Sequence, residues 1–283
     1  NNVNNNWYTN TIATWSIGYA IKAMETVQKN APERYQAILE KVDFDIQSET
    51  ARWKDIISNM YYPEDKELGV FLQQDGYLDK EQILVKDLPA EDRPLNQKWS
   101  WDRILRSCYI KQADVLQGFY FFEDNYDLET LRRNFDYYEP RTVHESSLSP
   151  CVHSILAAKL GDEERAYEFY VRTARLDLDD YNNDTEDGCH ITSMAGTWMS
   201  VVEGFGGMRV KNDSLSFSPF LPGKWNSFSF KIGFRGALLN VKVDKEGVNI
   251  HNQSDKQVQL RVYDQLYSIS PNTSIIAKDG SER

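Results

Sequence analysis

Apolar residues recur at steps of three and four between Thr9 and Gln28, where Ile12, Trp15, Tyr19, Ala20, Met24 and Val27 share one face. That spacing predicts a long amphipathic helix. Asn30 closes it, and Pro32 opens a shorter helix with Tyr35, Ile38 and Leu39 as its buried stripe. A third helix is expected from Ser48, its N-cap, to Met60, with Ala51, Ile56 and Ile57 turned inward. From Pro63 to roughly Arg106 the helical period fades. Strand-like Val70-Phe71-Leu72 and the aromatics Tyr77, Trp99 and Trp101 stand in a long loop, of a kind that is usually functional and could wall a cleft. Helices resume at 111–122, 128–138, 150–160, 163–174 and 193–205. With polar loops and no strand between them, they point to antiparallel helix pairs around a shared axis. No fixed-length repeat is present, against a regular solenoid.

After Gly204-Phe205-Gly206-Gly207 the period becomes two. Leu215-Phe217, Phe228-Phe230-Ile232, Leu238-Leu239-Val241-Val243, Val248-Ile250 and Val258-Leu260-Val262 alternate with polar residues, with turn signals between them. The fold expected is mainly α over 1–210, followed by a small antiparallel β-sandwich over 211–283.

The 283 residues are 41% hydrophobic and 13% aromatic, enough for a sizeable core. A formal net charge of −11 argues against nucleic acid or an anionic membrane as partner, because both require a basic face. No apolar run approaches the ~20 residues of a membrane span. The start, Asn1 to Trp7, is not a signal peptide. Its polar amides lead abruptly into an aromatic pair without an initiator Met, as at a cut inside a longer polypeptide. Cys108, Cys151 and Cys189 are odd in number and lack metal-ligand spacing, so reduced thiols in a cytoplasmic protein are expected. No metal or organic cofactor is expected.

Candidate chemistry centres on Arg141 to Pro150, Arg-Thr-Val-His-Glu-Ser-Ser-Leu-Ser-Pro. Ser149 is a candidate N-cap and Pro150 suits the first helical position. The turn then offers Ser146 and Ser147 beside a helix N-terminus, favourable for an anion such as phosphate, with His144 and Glu145 able to accept or carry a proton. The same turn could merely cap its helix. Lys111 and Gln112, at the expected start of the 111–122 helix, could hydrogen-bond vicinal sugar hydroxyls or form a solvated first turn. In Gly188 to Gly196, Ser193 is a candidate cap for a helix of small residues, and His190 could donate to a phosphate oxygen or be satisfied by a backbone carbonyl. Asp179, Asp180, Asp184, Glu186 and Asp187 read as a solvated acidic loop before a substrate or metal site, since they lack the sharp-turn glycine of Ca²⁺ loops. Trp7, Trp99, Trp101 and Tyr181 could stack on sugar faces or serve the core.

Asn-Asn-Val-Asn-Asn-Asn-Trp-Tyr-Thr-Asn (1–10), Lys-Gln-Ala-Asp-Val (111–115), His-Glu-Ser-Ser-Leu-Ser-Pro (144–150), His-Ile-Thr-Ser-Met-Ala-Gly (190–196) and Gly-Phe-Gly-Gly-Met-Arg (204–209) occur in order along the chain. This set resembles glycoside hydrolase family 65, which contains the inverting disaccharide phosphorylases. The resemblance implies the second half of an (α/α)6 barrel, or helical toroid, followed by the family's C-terminal β-sandwich. It implies phosphorolysis of an α-glucosidic disaccharide, with maltose and inorganic phosphate giving β-glucose 1-phosphate and glucose. Ser146, Ser147 and His190 would cradle phosphate with Ser193 and Gly196 close by, and Lys111 and Gln112 would hold the glucosyl hydroxyls, with Glu145 beside them. The general acid, a glutamate, would lie just before Asn1, and the partners would be the missing N-terminal half and a second copy in a homodimer. Two other readings stand beside this one: an inverting hydrolase using Glu145 as base, and a non-catalytic sugar-binding helical toroid.

Overall fold

The computed structural model describes residues 3–280. Asn1 and Asn2 of the Asn-rich motif, and residues 281–283 at the end of the expected sandwich, lie outside the described residues. The chain forms two compact units. One holds the residues up to Ile110 and Asp114–Thr142; the other holds Lys111–Ala113 and Val143 onward.

The first unit contains α1 (Trp7–Asn30), α2 (Pro32–Val42), α3 (Ile46–Ser58), β1 (Glu64–Asp65), β2 (Val70–Phe71), α4 (Leu95–Lys98), α5 (Trp101–Arg106), α6 (Val115–Phe121) and α7 (Leu128–Tyr138). Asn6 caps α1, its Oδ1 accepting from the Thr9 N–H at 2.7 Å. The Asn6 amide nitrogen donates to the Gln73 carbonyl at 2.9 Å and to both Asp114 oxygens at 3.2 Å, and the Gln73 amide donates to Asp114 at 2.7 Å. Burial pushes the Asp114 carboxyl above its usual range, and the two amides pull it back. Under this knot Trp7 is fully buried and stacked on Phe71, ring centres 4.8 Å apart. The Tyr138 hydroxyl donates to the Phe71 carbonyl and accepts from the Gln73 N–H.

Four expectations change here. α3 begins earlier, because the Asp45 carboxylate accepts from the N–H groups of Gln47 and Ser48; Ser48 is not the cap. The 111–122 helix shortens to α6, since Lys111–Ala113 belong to the other unit and Asp114 is drawn to Asn6 and Gln73 instead of capping. The expected apolar stripe of α1 is largely uncovered: Trp15 and Tyr19 stack on each other and are 52% and 59% exposed. Lastly, Pro63 to Arg106 is not one loop but a short hairpin, three 3-10 turns, α4 and α5.

The second unit contains α8 (Pro150–Lys159), α9 (Glu163–Ala174), α10 (Leu176–Asp179) and α11 (Ile191–Met199), which widens into a π-helical turn at Ser200–Phe205. α8 is buried on all sides from Pro150 to Ala157. Gly196 of α11 lies so close to it that an added Cβ would stand 2.8 Å from the Cys151 Cβ. Strands β3 (Arg209–Lys211), β4 (Ser214–Phe217), β5 (Ser227–Phe234), β6 (Ala237–Asp244), β7 (Gly247–Asn252), β8 (Val258–Val262), β9 (Gln265–Ile269) and β10 (Ser274–Ala277) follow. Gly207 sits at the turn into β3 with φ +56°, and a Cβ there would be 2.4 Å from the Ser218 carbonyl oxygen, so only glycine fits.

Two four-stranded sheets form, ordered β10-β7-β6-β5 and β3-β4-β8-β9. Their alternate residues build the core: Phe228, Phe230 and Ile232 on β5, Leu239, Val241 and Val243 on β6, Val258, Leu260 and Val262 on β8. Phe217 of one sheet meets Phe230 of the other. The expected all-antiparallel sandwich needs one correction, because β4 and β8 run parallel with Leu215 opposite Leu260. The intervening β5, β6 and β7 form the other sheet, so the chain returns to β4 by a crossover rather than a hairpin.

Candidate functional site

Three sequence-distant segments of the second unit meet. The Ser146 hydroxyl donates to Gln112 Oε1 at 2.8 Å, and the Ser147 hydroxyl shares a 2.7 Å hydrogen bond with the Thr192 hydroxyl. The segments are Lys111–Ala113, the turn before α8 and the start of α11. Accepting at Oε1 leaves the two amide protons of Gln112 directed elsewhere. The Ser147–Thr192 pair uses one hydroxyl proton between two oxygens and keeps the other for a further acceptor. Ser146 and Ser147 are partly exposed, and Lys111 and Gln112 are exposed.

The turn before α8 is held from beneath. His144 adopts a left-handed backbone, φ 54°, and is buried. Its Nδ1 lies 2.9 Å from the Ser149 hydroxyl, which explains why Ser149 does not cap α8: its oxygen is taken up by a side chain five residues earlier. His153 stands edge-on to His144, ring centres 4.4 Å apart, with its Nδ1 3.0 Å from the Ser149 carbonyl. A carbonyl only accepts, so this Nδ1 carries the proton. Complete burial draws the His153 pKa down from 6.5 to about 4 and keeps the ring neutral. Arg172 of α9 donates to the carbonyls of Val143 and His144 at 3.3 and 3.2 Å, fixing the strained backbone from the other side. Glu145 is buried at 7% exposure.

His190 occupies the N-cap position of α11, one residue before the helix. Its Nδ1 is 2.6 Å from Asp177 Oδ1 and its backbone N–H donates to Asp177 Oδ2 at 2.9 Å. On the other edge Nε2 is 3.5 Å from Asp184 Oδ2. The bond to Asp177, then the charge of Asp184, raise the His190 pKa, while the same bond holds the Asp177 carboxyl below its usual range.

Ser193 and Gly196 do not join the cluster. Ser193 is buried and donates to the Thr173 carbonyl at 2.7 Å, its helix having begun two residues earlier. Gly196 lies within a packed helix interface, and its smallness serves the approach to Cys151. Of the aromatics, Trp7 is core, Trp99 carries the Arg103 guanidinium 3.5 Å above its ring, Trp101 is 59% exposed, and Tyr181 carries the Arg172 guanidinium 5.4 Å from its ring centre. Thr192, Asp177 and Arg172 were not anticipated. Thr192 lies inside the His-Ile-Thr-Ser motif, whereas Asp177 and Arg172 carry no local signal. Within the acidic loop, Asp180 accepts from the N–H groups of Asp184 and Thr185, so part of that loop is ordered, while Asp179, Asp180, Glu186 and Asp187 remain exposed to solvent. Among the described residues, no group of three or more His, Cys, Asp or Glu is placed to hold a metal ion. Among the described residues, no helix is long and apolar enough to cross a membrane.

Hydroxyls, an amide and a histidine gather at two helix starts of a unit that ends in a β-sandwich, and groups of these types can hydrogen-bond an oxygen-rich ligand. The chain belongs to glycosyl hydrolase family 65, whose central catalytic domain matches residues 1–199 and whose C-terminal domain matches 208–269. It is 51% identical to the maltose phosphorylase of Bacillus subtilis (strain 168) over 94% of its own length and 34% of that protein. It is 41% identical to an α,α-trehalose phosphorylase of Thermoanaerobacter brockii over 93% of its length and 34% of that protein. A solved structure of a protein from the human microbiome, provisionally named a kojibiose phosphorylase, superposes with TM-score 0.86 at 40% identity, covering 97% of this chain and 36% of that one. The chain thus spans about a third of the length of the curated relatives it matches.

Proposed function

We propose that the chain is the phosphate-binding part of an inverting disaccharide phosphorylase acting on maltose. The observation that carries this reading is the pair of hydrogen bonds, Ser146–Gln112 and Ser147–Thr192, that joins three distant motifs into one polar cluster, with His190 two residues before Thr192 at the same helix start. Inorganic phosphate is its own nucleophile, so the protein has to hold it and offset its charge rather than activate a water. Ser146, Ser147 and Thr192 supply hydroxyls, His190 supplies a ring whose charged form its aspartate partners favour, and the helix starts add positive dipole ends. Lys111 and Gln112 donate to the glucosyl hydroxyls. A phosphate oxygen then bonds to the anomeric carbon from the face opposite the leaving glycosidic oxygen. That bond breaks, and the leaving oxygen takes a proton from a glutamic acid of the segment preceding Asn1 in the complete enzyme. The products are β-glucose 1-phosphate and glucose.

In the same proposal, the helices of residues 1–210 form the second half of an (α/α)6 barrel. The helix pairs and the family match support it. Maltose is favoured over trehalose because identity is 51% to the maltose enzyme and 41% to the trehalose enzyme of T. brockii. The test is turnover by the complete enzyme of maltose, trehalose, kojibiose and nigerose, each with and without phosphate. Release of β-glucose 1-phosphate from maltose, strictly dependent on phosphate, is expected. Turnover that ignores phosphate, or a faster reaction with another disaccharide, refutes the corresponding part.

A further inference from the structure

The surroundings of His190 are unexpected for a phosphate ligand: two carboxylates reach its ring. They reach it differently. Asp177 makes two short contacts with the same residue, 2.9 Å from its backbone N–H and 2.6 Å from its Nδ1. A carboxylate only accepts at neutral pH, so Nδ1 carries the proton and the ring plane is set with Nε2 facing away from Asp177. Asp184 makes one long contact, 3.5 Å from that Nε2. It is presented by a tight turn in which Asp180, at φ 47°, accepts the N–H groups of Asp184 and Thr185. The outward ring edge, the one that could meet a ligand, is therefore covered by a carboxylate at ion-pair distance.

We propose that the two carboxylates act in opposite senses on phosphate: Asp177 is a positioning residue that aims His190, and Asp184 is an internal anion that occupies Nε2 until phosphate displaces it. The inference rests on the reading of His190 as a phosphate ligand. Two negative groups cannot share one imidazolium edge without strong repulsion, so binding of phosphate requires Asp184 to leave. Asp177 has no need to move, because its bonds lie on the opposite edge and on the backbone. The exchange replaces one anion by another, so the ring keeps its proton throughout and the only net change is at Nε2.

The two roles predict effects of opposite sign, which a shared structural role cannot produce. In the complete enzyme, Asp177→Asn should raise KM for inorganic phosphate roughly tenfold, the order expected when one orienting hydrogen bond is weakened. Asp184→Asn should lower KM for phosphate severalfold, with kcat at saturating phosphate and KM for the sugar little changed. Modification of His190 by diethylpyrocarbonate, followed by peptide mass spectrometry, supplies a readout independent of turnover. Without phosphate, Asp184→Asn should speed the modification, and phosphate should slow it again. An Asp184→Asn enzyme with unchanged or raised phosphate KM, or an unchanged modification rate, overturns the inference. His190→Asn separates this from the parent reading: if it leaves phosphate KM unaltered, the assignment of His190 as a phosphate ligand fails, whatever the aspartates do.

Discussion

Replacing Gly196 by alanine tests the link between helix packing and the hydroxyl cluster. The added Cβ would lie 2.8 Å from Cys151 Cβ, 2.9 Å from Cys151 Sγ and 3.3 Å from Thr173 Cγ2. None of these atoms can readily retreat. Cys151 and Thr173 are buried, the Thr173 hydroxyl is bonded to the Phe169 carbonyl, and the Thr173 carbonyl receives the Ser193 hydroxyl. Helix propensity alone would favour alanine by about 1 kcal/mol. Overpacking of this kind costs about 1–3 kcal/mol, so a net loss of up to about 2 kcal/mol is expected. The relief available is for α11 to slide off α8, and Thr192 travels with α11 while Ser147 stays with the turn before α8. Their 2.7 Å contact then opens. Thermal unfolding of the complete enzyme should fall by a few degrees, and initial rates against phosphate should show a severalfold higher KM with a smaller change in sugar KM. Adding Cys151→Ala removes the sulfur but leaves the 2.8 Å Cβ contact, so it should restore little. A Gly196→Ala enzyme stabilised by the propensity gain, with unchanged phosphate KM, would show that the two helices do not set the cluster.

Ser147→Ala removes one hydroxyl from a proposed anion site; hydrogen bonds to charged groups contribute about 1.5–3 kcal/mol, so phosphate KM should rise by roughly tenfold to a hundredfold, and an unchanged KM contradicts the assignment. Glu145→Gln should leave turnover dependent on phosphate with sugar phosphate as product, whereas a hydrolase using that carboxylate as base would lose its activity; product analysis decides. His153 gives a pH test with a definite sign. Its folded pKa of about 4 lies below the ordinary 6.5, so the unfolded chain takes up a proton first and stability falls as pH drops from 6.5 towards 4. The full displacement is worth about 3 kcal/mol, and urea midpoints of His153→Gln should change less than wild type between pH 7 and pH 5. His190, with a raised pKa, has the opposite sign, but it lies near the surface and solvent weakens its contribution, so equal slopes in the two proteins would sink the argument.

Elements whose signals are local were legible. α7 and α9 run from Leu128 to Tyr138 and from Glu163 to Ala174, as their periodicity predicts, because Asp127 and Asp162 cap them through their own side chains. The alternation of β5, β6 and β8 likewise marks inward residues directly. What escaped depends on partners far along the chain. Nothing near Ser149 reveals that His144 takes its hydroxyl, nothing near β4 reveals a parallel neighbour at β8, and Asp177 meets His190 across 13 positions from within an acidic run.

The exchange of Ser193 for Thr192 is more instructive, because the information needed was present in the sequence. Successive helical residues project about 100° apart, so adjacent hydroxyls at a helix start cannot both face one cluster. Ser193, Gly196 and Ser200 recur at steps of three and four, and all three are buried, with the Ser193 and Ser200 hydroxyls satisfied by carbonyls of Thr173 and Gly196. A stripe of small residues at helical spacing marks a close helix contact, and once Gly196 is assigned to that contact Ser193 has to share its side. Thr192 is then turned out, towards Ser147. The small-residue stripe therefore outranks the capping preference of Ser193 as a signal, and it identifies the hydroxyl that meets Ser147. Local preference for a cap lost here to burial of a whole helix face, and the hydroxyl that meets Ser147 belongs to the neighbour of the residue that the cap rule selects.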